Sequence, residues 1–157
     1  MKPFEYKSES TEETLSFAER LGRLLKPGDV LTLEGDLGAG KTTFTKGLAL
    51  GLGIKRMVSS PTFTIIKEYH GRLPLYHMDV YRVTDENEDL GFDEYFEGEG
   101  VTVVEWAHLI GEQLPKERLT IHLYHEPNGS SRRIAFEPKG GRYEQLCKEF
   151  FYENLGN

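Results

Sequence analysis

The spacing of apolar residues predicts that helices and strands alternate in the first third of the chain. Apolar residues recur at helical spacing from 15 to 25, as they do along one face of an amphipathic helix. Ser10 precedes this run, and Glu13 lies three residues after Ser10, at capping-box spacing. This pattern is typical of a helix N-terminus. A short β-rich run at 30–33 then predicts a strand, and the segment 42–50, which is closed by glycines, predicts a second helix.

The second half of the chain is rich in segments typical of strands. Gly71 and Arg72 separate two of them at a predicted hairpin turn, and residues 85–90 predict an acidic turn or short helix. The run at 101–104 is continuously apolar, as expected for a strand buried on both faces. A C-terminal helix with one apolar face follows the last strand. The predicted strands of this half are 63–69, 73–79, 101–104, 119–124 and 132–136. Together these elements predict an α/β fold with helices on both sides of a mixed central sheet.

Length and composition are those of an ordinary globular protein. The 157 residues contain no internal repeat and no linker, so we expect 1–157 to form a single domain. No stretch approaches the roughly 20 apolar residues of a membrane helix, and the N-terminus lacks the apolar core of a signal peptide. The one cysteine, Cys147, cannot form an internal disulfide, which favours a cytoplasmic location. A net charge of −7 argues against binding nucleic acid by bulk electrostatics.

A phosphate-binding loop is the strongest functional motif in the sequence. Lys41 supplies a positive charge to the outer phosphates, and the hydroxyl of Thr42 is a magnesium ligand. Glycines let backbone amides approach a phosphate closely, and the helix that follows directs its N-terminus at the same anion. A strand before the motif and a helix after it argue against a chance match in a glycine-rich chain. The motif G-x-x-x-x-G-K-[ST] is matched by Gly35, Asp36, Leu37, Gly38, Ala39, Gly40, Lys41 and Thr42.

Two carboxylates are candidates to complete such a site. Asp79 and Glu105 each follow an apolar run that predicts a strand, and ligands of open α/β sheets gather at the carboxyl ends of strands. A carboxylate near a phosphate loop holds the metal ion or its waters. The alternative for each acid is a solvated residue at the point where a strand reaches the surface.

Thr62 and Trp106 are further candidates for contact with the nucleotide. Thr62 lies in a Ser-Pro-Thr loop and has the chemistry of a switch threonine that senses the γ-phosphate through magnesium. The alternative for Thr62 is an ordinary loop residue. Trp106 follows Glu105 and could pack near the nucleotide, although a lone tryptophan is more often a core or edge residue.

The sequence favours ATP over GTP. Guanine-specific GTPases read the base with an Asn-Lys-x-Asp motif, and none of the four asparagines is followed by lysine. Small-molecule kinases with a phosphate loop carry a lid with clustered arginines. The adjacent basic pairs here are Lys55-Arg56 and Arg132-Arg133. A free-standing kinase for a small metabolite is therefore the alternative to an ATPase, and a nucleotide-sensing module with negligible turnover is a third reading.

Four segments together resemble the TsaE family of bacterial ATPases in tRNA threonylcarbamoyladenosine biosynthesis. They are Gly35 to Phe44, Ser60 to Phe63, Tyr76 to Arg82 and Val103 to Trp106, in the order and spacing of that family. The resemblance covers nearly the whole chain and implies a P-loop ATPase domain. It also implies the partner proteins TsaB and TsaD, with tRNA contacted indirectly through their complex. In that machinery TsaD, not TsaE, transfers the threonylcarbamoyl group.

The resemblance implies ATP and Mg²⁺ as ligands and assigns roles to individual residues. Thr42 and Glu105 would hold magnesium, and Asp79 would act near the γ-phosphate, by orienting the attacking water or by contacting the metal. With Lys41, these two acids form the implied catalytic set. Thr62 would belong to a switch loop. The implied nucleotide-binding residues beyond 35–42 are Thr11 near the adenine, Thr43, Thr62, Trp106 and Arg133.

Overall fold

A seven-stranded mixed sheet forms the centre of the protein, in a computed structural model that describes residues 4–35, 40–55, 66–80, 92–127, 129 and 131–154. The strands are β1 (Glu5–Ser8), β2 (Val30–Glu34), β3 (Ile66–His70), β4 (Pro74–Asp79), β5 (Val101–Glu105), β6 (Arg118–His125) and β7 (Arg132–Lys139). Their order across the sheet is β1-β7-β6-β2-β5-β4-β3. The four central strands β6, β2, β5 and β4 are parallel, whereas β3, β7 and β1 join by antiparallel pairing. The predicted mixed sheet is confirmed.

Helices cover both faces of this sheet, as predicted. They are α1 (Thr11–Gly22), α2 (Lys41–Gly51), α3 (Asp93–Phe96), a 3-10 helix (Ala107–Gln113), α4 (Gly141–Lys148) and a π-helix (Glu149–Asn154). Adjacent residues of β5 divide between the two faces. Val103 packs in the larger cluster with α1, α2 and α4, whereas Val104 packs with α3 and the 3-10 helix. This double burial explains why β5 is apolar at consecutive positions.

Helix α1 begins where the sequence predicts and ends earlier. The hydroxyl of Ser10 accepts a hydrogen bond from the Glu13 amide at 3.1 Å, which satisfies an otherwise free donor of the first turn. The helix ends at Gly22, so the predicted extension to residue 25 is wrong. The amides of Leu24 and Leu25 bond to carbonyls three residues earlier, so the chain tightens into turns just after the helix.

The hairpin turn between β3 and β4 anchors the C-terminal end of α1. The guanidinium of Arg72 donates to the carbonyl oxygens of Gly22 and Leu25 at 2.9 and 3.2 Å. Such carbonyls lack intrahelical partners at a helix end, so a cation there both satisfies and neutralises them.

Three elements were not predicted from the sequence: β1, α3 and the 3-10 helix. Strand β1 was not expected because four residues carry little periodic signal, and its pairing partner β7 lies more than a hundred residues away. The ring of Tyr6 on this strand stacks on Phe17 of α1 with ring centroids 4.2 Å apart. The 3-10 helix directly after β5 was also missed. The predicted strand residues 63–65 and the acidic segment 85–90 lie outside the described residues.

Glycines allow the backbones of α1 and α2 to touch. A Cβ built on Gly47 would lie 2.5 Å from the carbonyl oxygen of Leu15 and 2.6 Å from the Cβ of Ala18. A Cβ on Gly22 would lie 2.5 Å from the carbonyl oxygen of Leu48. Neither position has room for a side chain, and the obstructing atoms belong mainly to the main chain. The two helices therefore meet at a fixed, close separation.

The C-terminal helix carries its cysteine inward. Cys147 is fully buried, and burial raises the pKa of its thiol to about 12. The sequence predicts one apolar face for this helix, and Cys147 lies on that face. No helix in the described part of the chain is both long and apolar enough to cross a membrane.

We expect Gly47→Ala to lower the free energy of unfolding by about 1–3 kcal/mol, the usual cost of overpacking a core. Alanine is intrinsically the better helix former by about 1 kcal/mol, but the clash with the α1 backbone outweighs that gain. Urea unfolding followed by circular dichroism measures the difference. Gly111→Ala is the matched control, because a Cβ there meets no atom within 4 Å. A Gly47→Ala variant at least as stable as the unmodified protein would contradict the close helix contact.

Candidate functional site

The ends of three parallel strands bring two acidic side chains together. Leu33 of β2 and Asp79 of β4 both pair with Glu105 of β5, so the three residues lie at one level of the sheet. Paired positions on neighbouring strands, about 4.8 Å apart, direct their side chains to the same face. Asp79 and Glu105, identified separately in the sequence, are therefore neighbours. Their face of the sheet is the one that α1 and α2 cover.

Helix α2 begins at this same edge, after the chain leaves β2. Gly40 precedes the helix with φ 105° and ψ 14°, a left-handed conformation in which residues with a Cβ are strained. Since glycine has no side chain, the first turn of α2 receives no side-chain cap. Lys41, Thr42 and Thr43 form the first turn, with Lys41 buried and the two threonines half-buried. Residues 36–39 of the motif lie outside the described residues.

The ammonium group of Lys41 lies over the indole of Trp106. Its Nζ is 4.0 Å from the ring centroid, and the lysine is only 6% exposed. Such contacts contribute about 0.5–2 kcal/mol, more when water is excluded. Trp106 has φ 61° and ψ 32°, and no other non-glycine residue of the described chain has a positive φ. This left-handed turn ends β5 and starts the 3-10 helix. The two predicted residues Lys41 and Trp106 are therefore in direct contact.

Glu105 is buried and paired with a histidine. The Nε2 atom of His77 on β4 lies 2.5 Å from Oε2 of Glu105, and the side chains are 0% and 5% exposed. Asp79, two residues after His77, is half-buried. The backbone amide of the next residue, Val80, donates a hydrogen bond to the carbonyl oxygen of Glu105. The two acids thus differ in environment: Glu105 is enclosed, whereas Asp79 is partly exposed.

A second acid–histidine pair lies on the other side of the β2 end. Glu34, the last residue of β2, accepts hydrogen bonds from the backbone amide of His108 and contacts its Nδ1 at 2.9 Å. This pair fastens the 3-10 helix to the strand that leads into the phosphate loop.

Thr11 and Arg133 lie at the same edge of the sheet but several strands away. Thr11 is the first residue of α1 and follows β1, which is separated from β2 by β7 and β6. Arg133 on β7 is held by Glu5 at 3.6 Å and Glu126 at 3.9 Å, and its guanidinium stacks on Tyr124. Thr62 lies outside the described residues.

Sequence reasoning missed three residues that the fold brings to this edge. His77 and His108 were not candidates, because the five histidines lack metal-ligand spacing. Glu34 was not singled out either. The available signal for His77 was its position two residues before Asp79 on a predicted strand, which places both side chains on one face. His108 offered no comparable signal. Within the described ranges, no three His, Cys, Asp or Glu side chains cluster as a ready-made metal site.

Comparison with known proteins identifies the family of the chain. The family model "Threonylcarbamoyl adenosine biosynthesis protein TsaE" matches residues 8–134. The tRNA threonylcarbamoyladenosine biosynthesis protein TsaE of Bacillus subtilis (strain 168) is 60% identical over 159 residues, covering 100% of both chains. The protein of that name from Treponema pallidum (strain Nichols) is 49% identical over 74% of this chain and 87% of its own. The crystal structure of Bacillus subtilis YdiB, with 56% identity, superposes with a TM-score of 0.86 over 96% of this chain and 95% of that one. The chain belongs to the TsaE family of tRNA threonylcarbamoyladenosine biosynthesis proteins.

Proposed function

We propose that this protein is a magnesium-dependent subunit that binds ATP and hydrolyses it slowly within the tRNA threonylcarbamoyladenosine machinery. It would act in the cytoplasm with TsaB and TsaD and reach tRNA through their complex. One observation carries the proposal: the glycine-led start of α2, with Lys41, lies at the sheet edge where Asp79 and Glu105 are neighbours. A phosphate group and a cation are the ligands that such an edge suits.

The phosphate end of the nucleotide would bind at the first turn of α2. The backbone amides at the start of that helix and the positive end of the helix dipole both favour an anion. Lys41 is buried among these groups and, on binding, its ammonium would leave the Trp106 ring for the outer phosphates. The exchange is favourable because a charge-assisted hydrogen bond to phosphate is stronger than a cation–π contact.

A magnesium ion fits the donor set at this edge. Mg²⁺ in nucleotide sites takes one or two carboxylates and completes its shell with phosphate oxygens and waters. Thr42 and Glu105 would hold the ion, with Asp79 beside it. When bound, the ion would neutralise charge that develops on the phosphates.

Asp79 would act on the attacking water. Its carboxylate is more exposed than that of Glu105, so it is the acid that a water molecule at the strand end can reach. It would accept a hydrogen bond from this water and hold it in line with the γ-phosphate. The nucleotide-binding roles of Thr11, Thr43, Thr62, Trp106 and Arg133 are part of this proposal, as is the preference for ATP over GTP.

The first test removes the phosphate-binding charge. Lys41→Ala should weaken ATP binding roughly 10- to 100-fold, the equivalent of one charge-assisted hydrogen bond of about 1.5–3 kcal/mol. Isothermal titration calorimetry measures the affinity. Lys46→Ala, an exposed position on the same helix, is the matched control and should bind as the unmodified protein does. Equal affinities for the two variants would contradict a phosphate site at Lys41.

The second test separates hydrolysis from binding. Glu105→Gln and Asp79→Asn should each lower turnover by on the order of 100-fold or more, as loss of a positioned acid or base does. Both variants should keep measurable nucleotide affinity, because α2 and Lys41 remain. Single-turnover hydrolysis and calorimetry give the two quantities, with the exposed Glu112→Gln as control. Unchanged turnover in both variants would return these acids to a structural role.

The third test addresses the partners. Alone, the protein should turn over ATP about once per minute or less, against a typical enzyme median near 10 per second. Adding the TsaB–TsaD pair should raise turnover and should bind in an ATP-dependent way. Because binding linkage is reciprocal, the pair must tighten ATP binding by the factor by which ATP tightens pair binding. If neither affinity nor turnover changes, a free-standing small-molecule kinase becomes the better hypothesis.

A further inference from the structure

We infer that His77 is a positioning residue: its Nε2–H fixes one oxygen of Glu105 so that the other is presented to the magnesium ion of bound ATP. The inference rests on the proposed function and deepens it. His77 itself would touch neither nucleotide nor metal. It would act only through the carboxylate beside it.

The sheet register makes this contact obligatory. His77 pairs with Val103 and Asp79 pairs with Glu105, so His77 lies one step deeper than Glu105 on the same face of the sheet. From there its imidazole reaches the carboxylate from the interior side, with Nε2 2.5 Å from Oε2. The strand end and α2 lie on the opposite, outward side. Since Oε2 accepts the bond from His77, Oε1 is the oxygen that would meet a ligand at the edge.

Burial makes the contact energetically necessary. Leu33, Leu75 and Val103 surround this level of the sheet and are all fully buried. A carboxylate among such side chains is costly unless it is hydrogen-bonded, because water no longer solvates it. Of the interactions seen in the described residues, the bond from His77 is the one that meets this requirement. Without it, Glu105 would gain by rotating toward solvent.

The second ring nitrogen indicates which tautomer makes the bond. Nδ1 of His77 is buried and has no hydrogen-bond partner among the described residues. An orphaned N–H is rarer in protein interiors than an under-satisfied acceptor. Because a carboxylate only accepts hydrogen bonds, the ring proton of this contact lies on Nε2, where it points at Glu105. The histidine is a donor with a single acceptor, as expected for a group that orients a metal-binding carboxylate.

A matched pair of amide substitutions tests the inference. In His77→Gln the side-chain amide can reach the place of Nε2, whereas in His77→Asn the same amide is one methylene shorter and cannot. His77→Asn should raise the magnesium concentration needed for half-maximal ATP hydrolysis roughly 10- to 100-fold, as loss of such supporting groups does. His77→Gln should restore most of the loss. Calorimetric ATP affinity in EDTA should be the same for both variants and the unmodified protein.

A background variant gives a second readout. When Glu105→Gln has already removed the metal-binding carboxylate, adding His77→Asn should not raise the magnesium requirement further. In the nucleotide-free protein, urea unfolding of the two single variants and the double variant should show coupling between the positions, since they are in contact.

The outcomes separate this inference from the proposed function. If the unmodified protein fails to bind magnesium ATP, the proposed function fails and the positioning role fails with it. Coupling in the unfolding experiment would then mean only that His77 and Glu105 form a structural pair. If it binds ATP but His77→Asn keeps the original magnesium requirement, the positioning role is overturned and the function stands. The positioning role would likewise be overturned if both amide variants lost ATP affinity in EDTA and free energy of unfolding to the same extent. A merely structural residue behaves in that way.

Discussion

The close contact between α1 and α2 determines where the candidate site can form. Helix α2 carries Lys41, Thr42 and Thr43, so its distance from the sheet sets how near these residues come to Glu105. Gly22 and Gly47 allow the two helix backbones to meet without side chains between them. Because main-chain atoms on both sides define the separation, it cannot drift as it could between flexible side chains. The start of α2 is thereby held in a fixed position relative to α1, which packs on the same face of the sheet.

Around this framework, contacts between neighbouring side chains support several of the candidate groups. His77 bonds to Glu105, Trp106 lies under Lys41, and Glu34 is tied to the 3-10 helix through His108. These side chains come from strands β4 and β2, from the 3-10 helix and from the turn at Trp106 that follows β5. A burial gradient runs through the group, from the enclosed Glu105 to the half-buried Asp79. The enclosed acid suits a fixed ion and the more exposed one suits an exchangeable water.

The sequence was most informative where chemistry is encoded by consecutive residues. The glycine-led start of α2 and Lys41 belong to one motif, and Glu105 follows an apolar run that only a doubly buried strand explains. His77, β1 and the glycine contact escaped prediction because each depends on residues distant in sequence. The early end of α1 was missed for the same reason. Arg72, which is distant in sequence, donates a hydrogen bond to the carbonyl oxygen of Gly22 at that helix end. Thr62 and residues 36–39 lie outside the described residues, so their roles remain predictions from the sequence.

The resting place of Lys41 has a spectroscopic consequence. Trp106 is the chain's one tryptophan, so its fluorescence comes from a single indole with an ammonium group 4.0 Å from its ring. Indole emission responds to a nearby charge, and any movement of the lysine changes that charge's position. The protein thus carries an intrinsic optical probe beside Lys41, the residue proposed to bind phosphate. Lysine displacement can be followed in real time, without a label and at concentrations far below those that calorimetry requires.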